Sequence, residues 1–379
     1  MLYAILFELL GKHGNREIFG VHPFYVFGFV SFRTGGSAIT AFLICLLLGP
    51  RVIRFLAGRG VRENVDKNPE VLKEYNTGKK DVPTMGGVLI VGSIILSTLI
   101  WGMLNQYYVM LGIIVTLFLG ILGLLDDWIK LKEPESRGLK VTAKFGPQVL
   151  LGLVLGIVIL NYTSHQTYPP NFDPKVGYLM FPFLKDAGVY LGLFYIIFVA
   201  LVLTGSSNAV NLTDGLDGLA SGCMVIAGLA FVVFCYVVGR PDYSWYLNIT
   251  YVPGSCELTV FCAAIVGSAL GFLWHNCHPA RVFMGDVGSL PLGGALGYIA
   301  VVLKHELVLV IAGGVFVLEA LSVALQVGYY KRTRKRLFLC APLHHHYQKK
   351  GWSETQVTVR FWLVAAIFAL LSLATLKIR

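Results

Sequence analysis

Five aspartates stand at the edges of apolar runs in this chain. Asp126 and Asp127 lie in GLLDDWIK (123–130), Asp214 and Asp217 in NAVNLTDGLDGLA (208–220), and Asp286 in FMGDVGS (283–289). Two adjacent carboxylates at the C-terminal end of a helix repel each other and oppose the helix dipole, whose negative end lies there. Near lipid, an ionised side chain is costly without a partner. A divalent cation relieves both problems, and Mg2+ favours one or two carboxylates together with waters and substrate phosphates. The residue types therefore suit Mg2+-assisted transfer of a phosphate-linked group, in which the metal neutralises a diphosphate and stabilises the leaving phosphate. The plainer alternative for the pair is a solvated membrane edge bridged to Lys130 or Lys132.

The other motifs carry the same two-sided reading. In NLTDGLDG, Asn211 or Asp214 could cap the following helix. Asp214 and Asp217 stand at i and i+3, a spacing that places both on one helix face. A helix start there also offers free N–H groups to an anion. Asp286 is equally a candidate N-cap, and Phe283 beside it could stack on a planar base or simply mark the interface. The run PLHHHYQ holds His344, His345 and His346. With no Cys or second His pair at zinc spacing, phosphate or substrate contact suits these imidazoles better than a structural metal.

The elements that must position these groups are membrane helices. The chain has 379 residues, 56% hydrophobic and 14% charged, with a mean hydropathy of +0.69. A soluble domain carries nearly twice that charge fraction, so a bilayer is the solvent for most of this surface. Ten apolar runs approach the length of about 20 residues that a span needs: 36–57, 85–104, 107–125, 145–161, 187–204, 218–238, 258–275, 287–303, 307–329 and 361–376. The fold class is thus an all-α polytopic membrane protein, one integral domain over residues 1–379. The first twenty residues do not read as a signal peptide, because Glu8 breaks the apolar run and the basic residues follow it. They suit the membrane surface instead. Seven scattered cysteines form no CxxC pair and suggest neither zinc nor a disulfide framework.

The net charge of +10 is better explained by loop asymmetry than by nucleic acid. Ten spans place 58–84, 126–144, 205–217, 276–286 and 330–356 on one side, which with the span-end residues Arg51, Arg54 and Arg360 collects 22 of the 31 Lys and Arg. Positive loops stay cytoplasmic, so both termini are expected to face the periplasm. All five aspartates and the three histidines then share the cytoplasmic face. Only Glu319 lies well inside a span, where it is either functional or hydrogen-bonded between helices. The outward stretch 162–186, rich in Pro and aromatics, suits a small hairpin.

Five blocks, KKDVPTMGG (79–87), GLLDDWIK, NAVNLTDGLDGLA, FLWHNCHPARVFMGDVGS (272–289) and APLHHHYQKKGWSETQVTVRFW (341–362), together resemble the phospho-N-acetylmuramoyl-pentapeptide transferase family. The DD and NLTDGLDG blocks specify only the wider polyprenyl-phosphate sugar-phosphate transferases, whereas the triple His with its downstream VRFW points to the muramoyl-pentapeptide branch. The resemblance implies a bacterial cytoplasmic-membrane enzyme that moves phospho-MurNAc-pentapeptide from UDP-MurNAc-pentapeptide to undecaprenyl phosphate, giving lipid I and UMP with Mg2+. It implies Asp126, Asp127 and Asp286 as catalytic carboxylates. Asp286 would be the metal ligand and Asp126 the group that deprotonates or orients the lipid phosphate, while a two-step route through a covalent aspartate stays open. Asn208, Asn211, Asp214, Asn276 and His345 would support diphosphate and metal. Lys79, Asp217, Phe283 and Gln326 would surround the uridine, and Lys130 and Lys144 would meet phosphate. Thr84, His344 and His346 complete the expected substrate-binding set. Membrane lipid is an expected partner, nucleic acid is not, and a homodimer stays open.

The chain departs from the family pattern at His275, where an aromatic is usual, at Arg281 and at Gln348, which replaces an acidic residue. The nearest rival reading is a sister enzyme that transfers GlcNAc-1-phosphate to the same lipid, against which the unbroken HHH argues. A secondary transporter or flippase would place polar groups near the bilayer midplane and interrupt its helices, whereas here the polar set gathers at one face.

Overall fold

The computed structural model describes residues 23–62, 81–132, 138–170, 172–184 and 187–377. A short 3-10 turn leads into α1 (Val30–Gly58), followed by α2 (Gly87–Trp101), α3 (Tyr107–Lys132) and α4 (Val141–Ser164). After a two-stranded hairpin come α5 (Phe194–Thr213), α6 (Leu219–Val238), the short α7 (Pro241–Leu247) and α8 (Leu258–Asn276). The chain closes with α9 (Asp286–Val302), α10 (Glu306–Ala312), α11 (Gly314–Thr333), α12 (Leu343–Lys349) and α13 (Glu354–Ala374). Among the described residues the fold is therefore all-α apart from the hairpin and one isolated bridge between Arg62 and Pro83. Seven of the described helices are long and apolar enough to cross a membrane, or eight if α10 and α11 count as one bent span. Each of the ten apolar runs falls on a helix, but α2 and α9, at 15 and 17 residues, are shorter than a span of ordinary length.

Burial sorts the bundle into a centre and a rim. All 17 residues of α9 are buried, and 83% of the apolar window ending at Asn276 is buried, against 22% for α1 and 28% for α4 and α13. A helix apolar all round belongs inside, and α9 packs between α3 and α5 while α8 packs against α1 and α6. At the end of the bundle remote from the aspartates, Arg33 is sealed inside but forms a two-pronged ion pair with Glu257, both contacts at 2.6 Å. A buried charge is tolerable only when paired in this way.

Three expectations need correction. The run 307–329 is not one straight span: α10 and α11 meet at 87°. Gly313 and Gly314 stand at the break, where glycine relaxes the backbone at little steric cost. The run 187–204 begins late, because Gly188–Tyr190 pairs antiparallel with Tyr178–Met180, so the hairpin expected over 162–186 extends into it and α5 starts at Phe194. For the same reason α5 reaches Thr213, which puts Asn208 and Asn211 inside its last turns and not in a loop. The first twenty residues lie outside the described residues.

Candidate active site

The ends of α3, α5 and α8 and the starts of α2, α4, α6, α9 and α13 meet at one end of the bundle. The centre of this end is fixed by how closely α3 approaches α9. Gly123, one turn before the aspartate pair, lies so near α9 that a Cβ would overlap the Asp286 carbonyl. This contact brings Asp126 and Asp127 alongside Asp286, and the three carboxylates offer oxygens within 4.8 Å of one another. They are 2%, 5% and 7% exposed, so their mutual repulsion is poorly screened.

Two lysines answer that charge. The Lys130 ammonium, one helical turn beyond Asp126, lies 2.6 Å from Asp126 Oδ2, 2.9 Å from Asp286 Oδ2 and 3.3 Å from Asp127 Oδ1. Lys144, from the first turn of α4, donates to Asp286 Oδ2 at 2.5 Å and stands 3.6 Å from Asp126 Oδ2. Asp286 Oδ1 accepts from Asn211 Nδ2 at 2.5 Å, and the same amide donates to Ser289 Oγ at 2.8 Å. Backbone N–H groups hold the outer oxygens: Leu139 donates to Asp126 Oδ1 at 2.7 Å and Val287 to Asp127 Oδ2 at 3.1 Å.

The loop before α9 is held by the segment before α2. Phe283 N–H donates to the Pro83 carbonyl at 2.8 Å, and Gly86 N–H donates back to the Phe283 carbonyl at 2.8 Å. Gly285 sits at φ 71°, a left-handed conformation that favours glycine. A Cβ there would press on Asp127 Oδ2 and lie 3.3 Å from Thr84 Oγ1. Thr84 is thereby brought to the edge of the acidic centre. Phe283 is half-buried beside it.

The remaining expected residues are placed elsewhere. Neither Asn211 nor Asp214 caps α6: Asp214 is the C-cap of α5, and α6 starts behind Gly218 at φ 73° without a side-chain cap. Asp214 and Asp217 therefore do not share a helix face, because the residues between them form a turn. Asp217 joins a second cluster, with Oδ2 accepting from Ala280 N–H at 3.0 Å and lying 3.1 Å from His278 Nδ1. Its own N–H donates to Glu354 Oε1 at 2.8 Å. Asn276 is a buried tie, accepting from Gly218 N–H at 3.1 Å and donating to the Val282 carbonyl at 2.8 Å. Asn208 donates to Gln148 Oε1 at 2.5 Å, across to α4. Gln326 accepts from Leu337 and Phe338 N–H at 3.0 and 2.9 Å and so clamps the basic loop before α12. Lys79 lies outside the described residues.

The three histidines have three separate settings. His344 is buried against Glu319, and His345 Nδ1 lies 2.8 Å from Gln348 Oε1. His346 Nδ1 accepts from Leu339 N–H at 3.2 Å. Partial burial and the nearby Lys350 hold the His346 imidazole below its ordinary pKa, which disfavours a protonated, phosphate-binding ring there. Among the departures, His275 is buried against Gly49, where the space left by that glycine receives the imidazole. Ser289, Gln148, His278 and Glu354 were not singled out by sequence reasoning. Ser289 had a signal, standing one turn from Asp286 in a quoted motif. The others are joined to the site only through long-range packing.

The sequence that builds this site is similar to those of known proteins. A family profile described as Glycosyl transferase family 4 matches residues 109–304, a stretch that includes Asp126, Asp127 and Asp286. The chain is 48% identical over 361 residues to a phospho-N-acetylmuramoyl-pentapeptide-transferase of Desulfotalea psychrophila, covering 94% of this chain and 96% of that protein. It is 44% identical over 394 residues to the enzyme of that name from Koribacter versatilis, and 44% identical over 380 residues to that of Desulfosudis oleivorans, both along 100% of each chain. Identity of 44–48% along nearly the whole of each chain leads to one conclusion: this chain is a member of the phospho-N-acetylmuramoyl-pentapeptide-transferase family, a multi-pass membrane protein.

Proposed function

We propose that the protein transfers phospho-MurNAc-pentapeptide from UDP-MurNAc-pentapeptide to undecaprenyl phosphate in the bacterial cytoplasmic membrane, yielding lipid I and UMP for peptidoglycan synthesis. The observation that carries this reading is the Lys130 ammonium within 3.3 Å of three buried carboxylates, beside Lys144, at the end of a membrane bundle. A diphosphate reaching that point meets two cationic groups, and a lipid phosphate can approach along the flank of the bundle. The ten apolar helices would be arranged with both termini outside and this end in the cytoplasm, as the charge asymmetry requires.

In the reaction, an oxygen of the lipid phosphate forms a bond to the sugar-bearing phosphorus, and the bond from that phosphorus to UMP breaks. Asp126 Oδ2 is the carboxylate oxygen turned toward both lysines, while Oδ1 is held by Leu139 N–H. It is therefore placed to accept the proton of the lipid phosphate or to orient it. Lys130 and Lys144 would take over the negative charge that collects on the transferring and leaving phosphates. Asn211 and Ser289 hold Asp286 in place. The donor set fits Mg2+: its oxygens are hard ligands, and Lys130 already marks a point where a cation is stabilised by all three carboxylates. Asp286, with Asp126 or Asp127, would hold the ion, which when bound supplies Lewis-acid neutralisation of the diphosphate.

The test is UMP release by the purified protein in detergent with Mg2+ and undecaprenyl phosphate. UDP-MurNAc-pentapeptide and UDP-GlcNAc are offered in parallel, with EDTA as a control. The expected result is release from the muramoyl substrate alone, abolished by EDTA. Release only from UDP-GlcNAc would assign the chain to the sister reaction, and no release from folded protein would refute transfer.

A further inference from the structure

Glu319 is the one acidic residue deep in α11 that the transfer chemistry does not use. It is fully buried, and a carboxylate so placed needs partners. Both of its oxygens find the same residue. Oε1 accepts the backbone N–H of His344 at 3.1 Å, in the first turn of α12. Oε2 stands 3.2 Å from His344 Nδ1. The two atoms form no directed hydrogen bond, so this second contact is one of proximity and packing.

The opposite edge of the same ring reaches the site. A Cβ on Gly215 would overlap His344 Nε2, so the imidazole fills the space which that glycine leaves open. Gly215 stands between Asp214 and Asp217, in the turn that joins α5 to α6. With Oε1 bonded to the His344 backbone N–H and Oε2 against Nδ1, Glu319 restrains both the start of α12 and the orientation of the ring. Nε2 is then the edge presented to the turn.

We propose that Glu319 is a positioning residue: through His344 it fixes the 214–218 turn against which the nucleotide end of the substrate binds. This inference rests on the proposed reaction, in which that turn faces the diphosphate and uridine. It differs from a plain packing role in what it predicts. A packing residue would lower the folded fraction and so the apparent kcat, leaving both KM values as they are. A strut on the turn acts on the UDP-sugar and leaves the lipid phosphate alone.

The test is a double-mutant cycle in the full chain in detergent, using Glu319→Ala, His344→Ala and the double variant. KM is measured for each substrate and UMP affinity by calorimetry. Glu319→Ala is expected to raise KM for the UDP-sugar about 10-fold with KM for undecaprenyl phosphate unchanged, and the double variant to lose no more than His344→Ala alone. Glu319→Gln keeps an acceptor for the His344 N–H and should recover part of the loss. It also carries the test if Glu319→Ala does not fold. Additive losses, equal changes in both KM values, or unaltered kinetics in Glu319→Ala would overturn the proposal. Absence of wild-type turnover would instead count against the reaction itself, because the UMP-binding cycle reports on the strut without it.

Discussion

Two acidic clusters lie at the same end of this bundle, and they are stabilised in different ways. Asp126, Asp127 and Asp286 project from the central helices α3 and α9 and are neutralised mainly by mobile-ended lysine side chains. Asp217 and Glu354 sit at the rim, where backbone N–H groups and the partly exposed His278 satisfy them. Backbone donors are fixed by the fold and cannot follow a substrate. Lysine ammonium groups can shift from carboxylate to phosphate when a ligand arrives, because three rotatable donors sit on a flexible stem. The contrast accords with the proposed reaction, in which the central cluster carries the chemistry and the rim holds the shape.

The sharpest way to break the comparison is to remove the shared cation. Lys130→Met keeps the side-chain length but leaves three buried carboxylates with Lys144 alone, and turnover is expected to fall by about 10²–10³-fold. UMP release by protein that still elutes as a single folded species would show this. A loss below tenfold would remove Lys130 from the centre. A smaller effect is expected from the close approach of the two helices. Gly123→Ala puts a methyl group into the Asp286 carbonyl, which backbone atoms cannot avoid, and should cost about 1–3 kcal/mol by overpacking. Thermal unfolding in detergent measures it, with Gly92→Ala as the control because nothing lies within 4 Å of a Cβ there. The smallest effect belongs to the rim. His278→Ala removes a partly exposed partner of Asp217, and steady-state kinetics should show kcat within about twofold of wild type and a modest rise in KM for the UDP-sugar. A collapse of kcat would move chemistry to the rim.

Much of this arrangement is visible in the sequence, for reasons that can be named. Eight of the ten apolar runs became one helix each, since lipid forces backbone groups to bond within the segment, while 187–204 opens in a strand and 307–329 is broken into two helices. Asp126, Asp127, Asp286, Lys130, Lys144 and Asn211 came together because each lies within two turns of a helix end at one face, where alternation of spans gathers them. The 87° break between α10 and α11 was not legible, as a Gly-Gly pair in an apolar run fits a straight helix equally well. The i,i+3 rule misplaced Asp214 and Asp217 because it presumes a helix, and Gly215 and Gly218 turn the chain there instead. The triple histidine read as one unit, yet the separate contacts of Glu319, Gln348 and Leu339 with His344, His345 and His346 divide it. His278 and Glu354, 76 residues apart by number, meet only through tertiary packing.

The most direct test of the central claim compares Asp286→Asn with Asp217→Asn in one UMP-release assay, using Mg2+, UDP-MurNAc-pentapeptide and undecaprenyl phosphate at saturation. The two substitutions are isosteric and each removes one buried carboxylate charge, one from each cluster. The expected result is a fall in kcat of about 10³-fold or more for Asp286→Asn and less than about tenfold for Asp217→Asn, with both proteins folded. Comparable losses in the two variants, or a larger loss for Asp217→Asn, would contradict the assignment of the reaction to the α3–α9 centre.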